Sequence, residues 1–328
     1  MRSGIRWLPK MQEEDGHWDA RKHGAAGQSD VGVTGLALLS YLGAGHTEKV
    51  GQYKDNVRRA VAWLKSRQNV DGLIADANGT DENSSLLPSH AIAGLALAEA
   101  AGMANTPDTK IAAQKAVDYS TKHFQHADGG FAYKAGEPGE LSATGWFVMQ
   151  LKSAKVAGLN IGSNSFEKVI RFLDKVEQKG KGKDIGYGQA SIYVNRPGDA
   201  QGEDVHRLTA IACLCRQLLG WKKQDLEASV RWFVKKGGVP DVWNEEKTDL
   251  CYWYFGTLCA FQQGGEVWKE WNEAMKKTIC GQMHVGGNED GSWDPIGPGA
   301  KHWGRAGQTA LATMCLEVYY RYLRLYKP

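Results

Sequence analysis

No stretch of the 328 residues is apolar for long enough to cross a bilayer, which takes about 20 such residues in a helix. No secretory leader is visible at the start. Cysteine does not occur before Cys213. The six that follow, Cys213, Cys215, Cys251, Cys259, Cys280 and Cys315, form no Cys-x-x-Cys pair and fall mostly in apolar helical stretches. They read as free, buried thiols, which points to a reducing compartment such as the cytoplasm. An excess of one charge is also missing. Lys and Arg number 40 against 37 Asp and Glu, a net +3, and no basic run interleaves with aromatics. That excludes a nucleic acid as the expected partner.

What the chain does have is a short signature that recurs. It is clearest at Trp7-Leu8-x3-Gln12-x2-Asp15-Gly16-x-Trp18. It returns at Trp63-Leu64-x3-Gln68-x2-Asp71-Gly72-Leu73 and at Gln125-x2-Asp128-Gly129-Gly130-Phe131. Degraded copies stand at Gln178 with Gly186-Tyr187 and at Asp241-Val242-Trp243, and the last runs from Gln282 to Asp290-Gly291-Ser292-Trp293. Taking Asp15, Asp71, Asp128, Asp184, Asp241 and Asp290 as markers, the intervals are 56, 57, 56, 57 and 49 residues. A fixed period of this size means one supersecondary unit repeated, each burying its apolar face on the next.

Each repeat holds two helical patterns. One is small and apolar nearly all round: Val31–Tyr41, His90–Ala101, Thr144–Val156, Val205–Leu219, Tyr252–Gln262 and Gln308–Tyr322. Such helices must be buried. The other is amphipathic: Ile5–Gln12, Asn56–Gln68, Lys110–Gln125, Phe166–Gln178, Leu226–Lys236 and Val267–Ile279. Gly43, Gly102, Gly158, Gly220 and Gly264 follow five of the buried helices, where helix ends need positive φ. Asn164 with Glu167 reads as a capping box. The prediction is all-α, with inner and outer helices alternating in a closed ring, since neither end shows the polar capping repeat of an open array. One domain of six units of about 56 residues, 1–328, is expected. Met1-Arg2-Ser3-Gly4 leads straight into the middle of a repeat, so a trimmed N-terminus is expected, with further domains or a partner subunit in the natural protein.

The Trp-Leu-x3-Gln-x3-Gly-x-Trp pattern at 7–18 resembles the QW repeat of squalene and oxidosqualene cyclases, shared more loosely with protein prenyltransferase β subunits. The resemblance implies an (α/α)6 toroid and a structural role for Gln12, Gln68, Gln125, Gln282, Trp18 and Trp293, whose amides and rings tie helix ends together. It also implies an isoprenoid or other small hydrophobic ligand, although other toroids act on polysaccharides and some bind a partner without catalysis. The cyclases' Asp-x-Asp-Asp acid is absent here. Asp81-Glu82 and Glu203-Asp204 are adjacent acids without that spacing. Asp249-Leu250-Cys251-Tyr252 resembles the segment that gives prenyltransferases two zinc ligands. The third, a His, falls on Gln308, so no metal and no cofactor is expected, because a catalytic zinc needs three protein ligands.

The candidate site follows from the starts of the buried helices. Asp30, His90, Ser142, His206, Asp249, Cys251 and Arg305 would share one end of the ring. Free N–H groups there favour anions. Catalysis, if present, would fall to Asp249, His206, His90 and Asp30. Aromatics crowd the same end, including Phe131, Tyr133, Tyr187, Tyr193 and Tyr254. Trp146, Tyr252, Trp253, Trp243 and Trp303, with Arg305, are the expected ligand-binding residues. The small apolar middles of the helices predict a ring packed shut below that rim.

Overall fold

The computed structural model describes residues 4–27, 29–76, 88–179, 185–186 and 205–321. A short helix α1 (Gly4–Trp7) runs into a 3-10 turn (Leu8–Met11). Then follow α2 (Asp30–Gly43), α3 (Lys54–Ser66), α4 (Ser89–Ala104), α5 (Pro107–Tyr119), α6 (Leu141–Val156) and α7 (Ser165–Val176). A two-residue hairpin pairs Gln178 with Gly186. The chain continues through α8 (Val205–Leu218), α9 (Lys223–Gly237), α10 (Leu250–Gln263), α11 (Gly265–Gly281), α12 (Ala300–Leu316) and α13 (Val318–Arg321). The even-numbered helices form the inner layer. Each packs on the next, and α12 returns to α2, so the ring closes. The fold is an (α/α)6 toroid.

Inner helices can pack this closely because glycine stands at their contacts. A methyl on Gly35 would meet Ile92 Cγ2 at 2.9 Å, and one on Gly145 would meet Ile211 Cγ2 at 2.6 Å. These contacts bring neighbouring inner helices close together. α1 lies against α12, and the Trp7 indole donates to the Asn288 carbonyl at 3.1 Å, which brings the first signature beside the last.

The signature works as a staple. Gln12 Nε2 donates to Gly16 O at 2.8 Å and to Asn56 O at 3.0 Å. Gln68 repeats this on Gly72 and Ala112, and Gln125 on Gly129 and Ser165. One amide thus closes its own turn and reaches a carbonyl in the first half of the next outer helix. The glycine beside the aspartate is obligatory: Gly129 has φ +101°, and a methyl there would lie 2.0 Å from Lys168 O. The staple is not universal, however. Gln282 is exposed: it stands nine residues from its glycine, Gly291, where Gln12, Gln68 and Gln125 stand four from theirs.

A second link joins each signature to its inner helix. The backbone N–H of Trp18 donates to Thr34 Oγ1, that of Phe131 to Thr144 Oγ1, and that of Trp293 to Thr309 Oγ1. In the second repeat Ile74 donates instead to His90 Nδ1 at 3.0 Å.

Several local expectations need correcting. Gly43 and Gly102 lie inside α2 and α4, and the positive φ falls on Gly45 and Asn105. Asn164 precedes α7, yet its side chain makes no capping bond. α12 starts at Ala300, earlier than expected, because Gly304 (φ 56°) lets an extra turn join across a kink. Four cysteines are buried, but Cys251 is half-buried and Cys280, on the wet side of α11, is exposed.

Candidate functional site

The first turn of α10 organises the mouth of the ring. Asp249 caps the helix: its Oδ1 accepts the N–H groups of Cys251 and Tyr252, both at 3.0 Å. Its Oδ2 accepts from Arg207 Nη1 on α8 at 2.9 Å. Across the rim, Tyr133 in the loop before α6 is hydrogen-bonded to Ser142 and lies in the field of Glu140, Cys251 and Arg207. Burial pushes the Tyr133 phenol well above its ordinary pKa, with the Ser142 bond opposing. Tyr133, Glu140, Ser142, His206, Arg207, Asp249 and Cys251 are each half-buried, so this stretch of rim is polar and open to solvent. Sequence reasoning passed over Arg207, because a lone arginine beside a histidine carries no spacing signal.

The other expected site residues are placed differently. His90, in the first turn of α4, is buried with both ring nitrogens engaged. Asp30 is nearly buried, and its Oδ1 accepts the Ala20 N–H at 2.8 Å. Asp76 does the same for Val31 at 3.0 Å. His206 is half-buried with its ring edge-on to Tyr252, 4.7 Å between centroids. Of the aromatics, Trp146, Tyr252, Trp253 and Trp303 are buried. Trp146 stacks on Tyr254, and the Tyr252 hydroxyl donates to Gly238 O at 2.8 Å. Trp243, like Tyr133, is half-exposed; it leans on Trp253 with centroids 5.7 Å apart. Arg305 is committed to Asp294 at 2.7 Å and Glu289 at 3.1 Å. Tyr187, Tyr193, Asp184, Asp81-Glu82 and Glu203-Asp204 lie outside the described residues.

The Asp249 geometry bears on the zinc question. Both carboxylate oxygens already hold hydrogen bonds, one of them to a guanidinium, and Gln308 donates its amide to Ile296 O at 3.2 Å. Elemental analysis of the purified protein should therefore give far less than one zinc per chain. A stoichiometric zinc that disappears in Cys251→Ala would contradict this. Among the described residues, His284, Glu289 and Asp294 alone cluster like metal ligands, and Arg305 occupies the charge between the two acids.

Two cavities open at the opposite rim, where the inner helices end. One of about 440 Å³ lies between the ends of α4, α6, α8 and α10. The other, about 1120 Å³, runs between the ends of α2 and α4 and the short helices α1 and α13. The expectation of a ring packed shut below the mouth therefore needs correcting. The side chains at this end, among them Met103, Met149, Leu214 and Leu258, line open space instead of filling it.

Comparisons with known proteins agree with this architecture. No curated protein matches the sequence. Among solved structures, the alpha-1,6-mannanase of Salegentibacter sp. HEL1_6 is similar at TM-score 0.64 and 11% identity, over 96% of each chain. An inactive variant of that enzyme in complex with alpha-1,6-mannotriose gives 0.62 and 11%, over 96% of this chain and 97% of the other. A novel alpha-amylase from Clostridium perfringens gives 0.62 and 15%, over 97% of each. At these identities the likeness is one of fold. The sequence profile of the family described as "Prenyltransferase alpha-alpha toroid domain" matches residues 2–111 and 79–239. By that match, and by the closed ring of alternating helices it predicts, the chain belongs to the prenyltransferase alpha-alpha toroid family.

Proposed function

We propose that this toroid binds a glycan chain across the rim where the inner helices begin. The observation that carries the reading is the polar and aromatic cluster at the starts of α6, α8 and α10. Tyr133, Ser142, Arg207 and Trp243 are half-buried there, and Asp249 holds the Arg207 guanidinium in place. Aromatic faces meet the apolar faces of sugar rings, and fixed hydroxyl and guanidinium groups meet sugar hydroxyls. The fold shared with a mannanase crystallised with alpha-1,6-mannotriose supports this ligand class.

Charge weighs against an isoprenoid diphosphate at the same rim. Asp30, Asp76, Glu140 and Asp249 surround the mouth, and Arg207 is offset by its pairing with Asp249. A dianionic headgroup would meet repulsion there. The reading is of recognition and not of bond cleavage, because Asp30, Asp76 and Asp249 each already accept backbone N–H groups that hold the rim together.

Titration calorimetry with alpha-1,6-mannotriose and with farnesyl diphosphate decides the matter. The saccharide should bind, and Trp243→Ala should weaken it about tenfold or more, the scale of losing one aromatic contact, with the melting temperature kept. Binding of farnesyl diphosphate with no response to the saccharide would overturn the proposal.

A further inference from the structure

The smaller cavity at the far rim is built from the last turns of four inner helices. Its walls are Met103 on α4, Met149 on α6, Leu214 and Leu218 on α8 and Leu258 on α10. Its volume of about 440 Å³ falls in the range of small-molecule sites, roughly 300–1,000 Å³. Apolar side chains facing a cavity lose the contacts that burial would give them, and an apolar guest restores them. Two methionines on the wall suit a flexible guest, since their unbranched side chains repack readily.

Lys152, one turn from Met149, also lines this cavity. Among the described residues no carboxylate pairs with it. Burial lowers its pKa, and the neighbouring Lys155 adds to the effect. An ammonium that is partly desolvated beside a like charge gains from an anion placed next to it. Glu99 stands on the wall shared with the larger cavity.

From the apolar walls and the unpaired cation we infer that this cavity binds a long-chain carboxylate, its alkyl tail between the inner-helix ends and its headgroup on Lys152. The site is distinct from the glycan rim and stands or falls independently of it. A fatty acid and a larger acyl lipid with an anionic head share this chemistry. Only the first can enter whole.

The test is calorimetric titration of the full chain with octanoate, decanoate and dodecanoate, each below its micelle concentration. Affinity should rise on the order of tenfold for each two methylenes, as burial of a chain in an apolar site requires. Lys152→Gln should weaken dodecanoate about tenfold and leave dodecanol unchanged. Leu218→Trp, at the half-buried edge of the cavity, should abolish binding of both. Should that variant fail to fold, the Lys152→Gln comparison decides alone. No heat with dodecanoate, no dependence on chain length, or equal loss of dodecanol and dodecanoate in Lys152→Gln would each overturn the assignment. A lysophospholipid that competes as well as dodecanoate would place the headgroup outside the cavity and would also overturn it.

Discussion

Trp18→Ala and Trp293→Ala are each expected to lower unfolding free energy by about 3–5 kcal/mol, the range for deleting a large buried aromatic side chain. Both indoles are completely buried. Each also makes the same polar contact. Trp18 Nε1 donates to Leu8 O at 2.8 Å, and Trp293 Nε1 donates to Ile279 O at 2.7 Å. Truncation leaves a cavity and a carbonyl near the end of an outer helix without its donor, and both terms have the same sign. The two sites flank the seam where α12 meets α2. There the first outer helix is only a short turn, so little else covers the inner layer. Chemical denaturation of the two variants measures the loss. Trp243→Ala, whose ring is half-exposed, is the control and should cost about 1 kcal/mol or less. Midpoints unchanged from the parent in both buried variants would refute the staple role of these residues.

The repeat made the fold legible. The helix kinds, their order and their approximate limits follow from an apolar periodicity that recurs about every 56 residues, and chain-wide repetition averages out local ambiguity. Positions where one copy departs from the others were far less legible. Gln282 carries the signature residue without its contact, because the contact depends on loop length. The glycines nearest the ends of α2 and α4 were the natural choices for positive φ, but Gly43 is the last residue of α2 and α4 runs two residues past Gly102, so the positive φ falls just beyond, on Gly45 and Asn105. The site was only half legible for a similar reason. Asp249 stood out as a helix start, and its capping geometry is local. Its partner Arg207 comes from another inner helix, and the grouping with Tyr133 spans separate repeats. The cavity at the far rim depends on how far the helix ends diverge, which the composition of a single helix does not encode.

His90 shows what such a departure does, and it gives the protein an acid sensitivity. Where the first, third and last repeats place Thr34, Thr144 and Thr309 against a signature N–H, the second places an imidazole. Because Ile74 donates to Nδ1, that nitrogen must be bare and the proton must sit on Nε2. There it faces Ala116 O at 3.2 Å and Ser120 Oγ at 3.1 Å. Protonating Nδ1 would turn two donors on each other inside the core. Burial accordingly lowers the pKa to about 4, with the Ala116 carbonyl partly opposing the shift. An unfolded histidine titrates near 6.5. Above that value the ring is neutral in both states and pH has no effect through it. As pH falls from about 6.5 towards 4, the unfolded chain takes up a proton that the folded chain refuses, and stability is lost. At 1.36 kcal/mol per unit the loss reaches about 3 kcal/mol near pH 4. His90→Thr, which restores the residue of the other repeats, removes this contribution. Urea unfolding of both proteins from pH 7 to pH 4 isolates it, since the remaining titrating groups are common to the two. The stability difference, parent minus variant, should fall by about 3 kcal/mol across that window. Parallel curves would mean that His90 titrates alike in the folded and unfolded states, and its bond from Ile74 would then have to be abandoned.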